Sequence, residues 1–194
     1  MPKGKNIDTL LQPLAERPIQ AYFGMGLHTL GLLQWILRQT GKATVFVSSY
    51  STSEPFLNGF YLLRQKDKVE KAMLLLDQRA ARKTLQLEQL MTGAFDNVFL
   101  GQNHSKVLLV RNSRWHVSVV TSQNQTYGQR AESTIITTDK QVYEQLMNQM
   151  EDSIVHRSVE IDVEHGTGIV AESGEAGQAA ADTPADWQPF GAEW

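Results

Sequence analysis

The sequence contains no cysteine in 194 residues. That excludes disulfides, thiol nucleophiles and cysteine-ligated zinc, and it accords with a reducing cytoplasm. No uninterrupted run of about 18 apolar residues occurs. The start, Met1-Pro-Lys-Gly-Lys-Asn-Ile-Asp8, lacks the apolar stretch of a secretion signal. The expectation is a cytoplasmic chain that does not enter a membrane. There is no Gly-rich phosphate loop and no internal repeat. His116 has no partner at a metal-ligand spacing, and His156 and His165 lie too far apart for a helical pair. No metal and no cofactor are therefore expected.

Basic residues are missing from one region in particular. Eight of the 21 acids lie between Val159 and Trp194, where there is no Lys or Arg. The preceding residues hold 13 acids against all 18 bases, a body of about +5 inside a chain of formal charge -3. A mildly basic body suits a polyanionic substrate. Arg64-Gln-Lys-Asp-Lys68 with Lys71, and Arg79-Ala-Ala-Arg-Lys83, read either as an approach groove for nucleic acid or as a solvated face. Beyond residue 165 the composition turns to Gly, Ala and acids, which reads as a flexible acidic tail. It ends with Trp187, Phe190 and Trp194. Those aromatics read either as a docking peptide, for a protein partner or for the chain's own basic face, or as a terminal segment covering the body.

What is present is a set of groups suited to phosphate. His104 and Lys106 stand at i and i+2 ahead of the apolar run Val107–Val110, so on an extended strand they share a face. Arg111–Arg114 reads as a turn and Trp115–Thr121 as the returning strand of a hairpin. Pairing 110 with 115 sets 104 opposite 121. Ser122 and Asn124 then fall at the His104 end. A hydroxyl, an amide and an ammonium stabilise charge on a reacting phosphoryl group, and a neutral imidazole can attack phosphorus. A carboxylate on the other ring nitrogen would hold that imidazole in the right tautomer, and Glu132 is the candidate.

His104-Ser-Lys106, Ser122-Gln-Asn124 and Glu132 resemble the signature of the phospholipase D superfamily, most closely its single-motif bacterial endonucleases. Ala43–Thr52 looks like the family's first strand and its polar exit, and Ala72–Asp77 like the next strand. The likeness covers about residues 25–155. Arg111 stands where the family has Asp, and Thr121 where it has the Gly before Ser. The resemblance implies an α/β sandwich with a mixed sheet flanked by helices. It also implies a metal-independent phosphodiesterase with His104, Lys106, Ser122, Asn124 and Glu132 as catalytic residues. Of these, Lys106, Ser122 and Asn124 would bind substrate. Such chemistry uses two facing motifs, so a single copy implies a homodimer. DNA is the favoured substrate, with RNA and phospholipid as competitors. The alternative is an impaired, nucleic-acid-binding module that recruits a partner through its tail.

Local patterns fill in the frame. The expected parts are an N-terminal extension (1–24), a phosphodiesterase domain (25–158) and the tail (159–194). Short helices are predicted at Thr9–Glu16 and Leu85–Met91, and a longer one at His28–Gln39 with Gly41 as its stop. Within the longer helix His28 and Trp35 read as packing residues. Ser53-Glu-Pro55 predicts a capped helix start with Phe56, Phe60 and Leu63 buried. Strands are predicted at 97–100 and 133–137. Asp139 predicts the cap of a helix to about residue 152, with Val142, Leu146, Met147 and Met150 facing inward.

Overall fold

Strand and helix segments alternate along the chain and gather on one eight-stranded sheet, in a computed structural model that describes residues 6–80, 86–125 and 130–161. In chain order the elements are β1 (Ile19–Gly24), α1 (Thr29–Thr40), β2 (Ala43–Ser49), α2 (Glu54–Gln65), β3 (Val69–Asp77), α3 (Glu88–Ala94), β4 (Asn97–Gly101), β5 (Val107–Arg111), β6 (His116–Thr121), β7 (Glu132–Thr137), α4 (Lys140–Arg157) and β8 (Ser158–Glu160). Across the sheet the order is β1-β7-β6-β5-β2-β3-β4-β8. The β2–β3 and β3–β4 pairs are parallel and all others antiparallel, so the sheet is mixed, as expected.

The sheet is an α/β sandwich because its central strands are apolar on both faces. Every residue of β2 is buried. One face packs Val45, Val47, Leu74, Leu76 and Leu108 against Leu33 and Ile36 of α1, Phe56, Leu57 and Phe60 of α2, and Met91 of α3. The other face packs Phe46, Met73, Leu75, Phe99 and Leu109 against Tyr143, Met147, Met150 and Ile154 of α4. α1 ends where predicted: Gly41 adopts φ 82°, a conformation that favours glycine, and its N–H bonds to the Leu37 carbonyl. Trp35 is buried and its indole N–H donates to Asp8.

Several local expectations change. Asp139 caps α4 through Gln141 and Val142 N–H, but the helix runs on to Arg157 and its inner line is Tyr143, Met147, Met150 and Ile154. Val142 faces outward, because one helical step of 100° separates it from Tyr143, whose ring fills the space under β6 beside His116. Ser53 precedes α2, yet its hydroxyl donates to the Gln125 carbonyl instead of capping the helix. The expected helix at Thr9–Glu16 is a 3-10 turn at Ile7–Thr9 followed by irregular chain. Ile19–Gly24, assigned from sequence to an extension, is an edge strand paired with β7, and Val159 and Glu160 pair with β4. Such short strands gain their stability from neighbours distant in sequence. The tail aromatics lie outside the described residues, as do Arg82 and Lys83.

Asp96 ties α2 to the sheet: its two oxygens accept from Arg64 at 2.6 and 2.7 Å, and Oδ2 also accepts from Ala72 N–H at 2.6 Å. Asp96→Ala is expected to destabilise the fold by about 1–3 kcal/mol, read as a lower urea midpoint, since it strands a buried N–H and releases a bidentate guanidinium.

Candidate active site

The predicted hairpin forms with its register displaced by two residues. Val110 pairs with Val117 and Val107 with Val120, and Thr121 N–H donates to the Lys106 carbonyl. The connection Asn112–Trp115 is a four-residue turn closed by Asn112, whose Oδ1 accepts from Arg114 and Trp115 N–H. That side chain could not be weighed from strand periodicity, and it moves the turn one residue beyond Arg111. The consequence for the site is small. Ser122 still emerges beside Lys106, at the end of the sheet where β5 starts and β6 finishes.

Four of the five predicted residues form two linked pairs there. The Lys106 ammonium donates to the His104 carbonyl at 2.6 Å and lies 3.5 Å from His104 Nδ1. The Ser122 hydroxyl donates to Glu132, and the Ser133 N–H donates to that hydroxyl at 3.0 Å. The Glu132 carboxylate acts on Lys106 electrostatically. Glu132 thus engages Ser122, and no hydrogen bond joins it to the His104 ring among the described residues, in contrast to the expected pairing. The physical reason is proximity: Ser122 N–H bonds to Ser133 O, which sets the serine directly beside the first residue of β7. The fifth residue, Asn124, has a half-buried side chain whose Oδ1 is buried without a hydrogen-bond partner among the described residues. Its neighbour Gln125 is fastened by Ser51 O and Ser49 Oγ, at the exit of β2.

His104 is exposed to solvent. Burial pushes the Lys106 ammonium below its ordinary 10.5, while the carboxylates of Glu132 and Asp77 pull the other way. If the ammonium carries charge for the reaction, turnover is lost as pH rises through its pKa. The alkaline fall in rate is then expected below pH 10.5. Lys106→Arg should displace that fall to higher pH in a pH–rate profile, because a guanidinium keeps its proton.

Sequence reasoning left several residues of this site unassigned. Tyr50 forms a wall, its ring 5.2 Å from the His104 ring and 5.8 Å from the Lys106 ammonium. Asp77, Asn103, Ser48 and Ser105 form a hydrogen-bonded cluster beneath His104. The signal for Asn103 was its place next to His104, but its burial follows only from the fold.

The two departures from the signature fall differently. Arg111 closes the far end of β5, opposite His116 and close enough to lower the proton affinity of both His116 and Tyr143. Burial is the main cause of both shifts and carries the Tyr143 hydroxyl to about 12. Arg111 lies five steps along the strand from Lys106, roughly 16 Å at 3.3 Å per residue. Arg111→Asp is therefore expected to change turnover by less than about threefold in an assay that detects His104-dependent activity. Thr121 replaces close backbone approach with a stitch: its hydroxyl donates to Ser133 O at 3.0 Å and accepts from Gln123 N–H at 3.2 Å. Gln123 in turn accepts from the Thr29 N–H and hydroxyl, so the Ser122 loop caps α1, while the His28 side chain makes no cap of its own.

The basic residues Arg64, Lys66 and Lys68 sit at the Val69 end of β3, opposite the Asp77 end where the site lies. Arg64 is committed to Asp96. That cluster does not line the approach to His104. Among the described residues, no helix is long and apolar enough to cross a membrane. No group of three His, Asp or Glu side chains among them could hold a metal ion.

No family model matches the sequence, and no curated protein does. Solved structures do match. Nuc, a phospholipase D family member from Salmonella typhimurium, superposes with a TM-score of 0.53 at 14% identity, over 74% of this chain and 98% of its own. A polyphosphate kinase from Porphyromonas gingivalis gives 0.56 at 11%, over 78% of this chain and 29% of its own. Phosphatidylserine synthase from Haemophilus influenzae Rd KW20 gives 0.53 at 14%, over 74% and 39%. At these identities the likeness is one of fold. With the mixed sheet, its flanking helices and the near-complete span of Nuc all in agreement, the chain has the phospholipase D-like fold.

Proposed function

We propose that this protein is a phosphodiesterase, acting on DNA, that works through a phosphohistidine on His104 without recruiting a metal. The carrying observation is the meeting of His104 and Lys106 with the Ser122–Glu132 pair at one open end of the sheet. The unprotonated ring nitrogen of His104 attacks phosphorus, and the bond from phosphorus to the leaving oxygen breaks. A second His104, from a partner copy, supplies the proton that the leaving oxygen takes. Water then attacks the phosphohistidine, gives its proton to that second imidazole, and releases a phosphomonoester with His104 regenerated. Lys106, Ser122 and Asn124 stabilise the charge on the phosphoryl oxygens.

A part of the sheet that no described element covers supports the homodimer. α4 packs on β2 to β5 and reaches the His116 end of β6, but the same face of β1, β7 and the far end of β6 leaves Phe23 79%, Ile19 65%, Ile135 53% and Val120 44% exposed. Val120 pairs with Ile135, Ile135 with Ala21, and Phe23 with Ser133, so the apolar patch runs to the residue that bonds Ser122. Such a patch is on the order of several hundred Å², the scale at which an apolar surface marks an interface. A second copy seated there would bring its own site beside the first.

The nucleic-acid reading rests on the basic body and the exposed imidazole. It is tested by incubating labelled single- and double-stranded DNA with the protein in excess EDTA, with His104→Ala alongside. Cleavage by wild type alone is the expected result. Salt-sensitive binding with no cleavage would select the impaired binding module instead.

A further inference from the structure

His104 stands on a connection with no regular secondary structure, between Gly101 and Val107. An exposed imidazole on such a loop would sample many orientations unless the backbone on both sides were held. Asn103 holds it. This side chain is only 7% exposed, and its amide nitrogen donates to Ser48 Oγ at 2.9 Å, Ser49 O at 3.1 Å and Leu75 O at 3.2 Å. Its Oδ1 accepts from the N–H and the hydroxyl of Ser105, at 3.0 and 2.6 Å. The Ser105 and Ser48 hydroxyls lie 2.5 Å apart.

The backbone N–H of Asn103 donates to Asp77 Oδ2 at 2.9 Å, and Asp77 Oδ1 accepts from Arg79 N–H at 2.7 Å. Asp77 is buried at the last position of β3. The residues before and after His104 are thus bound to two adjacent strands, β2 and β3, in the interior of the sheet. A carboxamide has two N–H donors and one acceptor oxygen, and all of them are used here.

We propose that Asn103, seated on Asp77, is the positioning residue of this site, fixing the backbone on both sides of His104 so that the imidazole meets phosphorus without reorganising. The assignment rests on reading His104 as the nucleophile. It also accounts for Arg111. The shape of the His104 loop is set by a buried carboxylate from β3, so a carboxylate at the far end of β5 is not needed for it.

The test compares wild type, Asn103→Leu and Ser48→Ala/Ser105→Ala for turnover of bis(4-nitrophenyl) phosphate and labelled DNA in EDTA, with folding followed by circular dichroism and melting temperature. Asn103→Leu is near in size and removes every side-chain hydrogen bond. Its kcat is expected to fall about 100-fold with KM within threefold of wild type, the signature of misplaced reacting groups. A folded Asn103→Leu protein with wild-type kcat overturns the assignment, as does a loss confined to KM. If Asn103→Leu does not fold, the double serine variant, which leaves the apolar core whole, decides between a kcat about tenfold lower, in support, and an unchanged kcat, against. Wild type inactive on both substrates would overturn the reading of His104 as nucleophile instead. The clamp is then judged on the His104 ring resonances by NMR: displaced and broadened signals in the double serine variant support it, and coincident signals overturn it.

Discussion

His104→Ala should abolish cleavage, with a fall in kcat of at least about 10^4, because in the proposed mechanism the variant lacks the atom that would bond to phosphorus. The fold should be untouched. His104 is exposed, and among the described residues its ring meets the half-buried Tyr50 and Lys106 at the surface, so its removal opens no cavity in the core. Equal melting temperatures for wild type and variant are part of the expected result. Acid-quenching is the wrong way to look for the intermediate, since the phosphorus–nitrogen bond is acid-labile. Base-quenched wild-type protein should carry a phosphoryl adduct on His104, seen as an added mass on the peptide that contains it. Rapid cleavage by His104→Ala would end the mechanism, and an adduct on another residue would reassign the nucleophile.

The second large effect falls on a surface that contributes no catalytic group. Phe23→Asp with Ile135→Asp is expected to convert the proposed dimer into a monomer in sedimentation equilibrium and to lower turnover at least about 100-fold. Both side chains are more than half exposed in the single chain, so the monomer loses little on substitution. In a two-fold interface each change appears twice, and an unpaired carboxylate buried against apolar surface costs several kcal/mol. A further consequence is dominance. Mixing wild type with excess His104→Ala protein should suppress activity through mixed dimers, each holding one attacking imidazole and no proton donor, or the reverse. A fully active monomeric Phe23→Asp/Ile135→Asp protein would show that one His104 is enough.

How much of this was legible in the sequence differs from element to element. The stripe Phe56, Phe60 and Leu63, the cap at Asp139 and the stop at Gly41 are local: each depends on residues within one or two turns, and each is present. The nearness of four of the candidate residues was legible because His104 and Lys106 share the approach to β5, and Ser122 and Glu132 flank the connection from β6 to β7. β1 was not legible. Ile19–Gly24 alternates in the reverse sense, with Gln20 buried and Ile19 and Phe23 facing outward, so its apolar set does not mark a core-facing side. The hairpin register was not legible either, since the side chain of Asn112, rather than strand periodicity, closes the turn.

By itself, then, the sequence determined the residue kinds that can handle phosphate, the cysteine-free character of the chain, the split of charge between body and tail, and the alternation that makes an α/β sandwich. Tertiary structure decided which groups touch. It gave Glu132 to Ser122 rather than to His104, sent Arg111 to the far end of its strand, and buried Asn103 and Asp77 under the loop of His104. The reason is range. Propensity, capping and periodicity act over a few residues, whereas Asn103 meets Ser48 across 55 positions and Leu75 across 28, contacts that exist only once β2, β3 and β5 lie side by side.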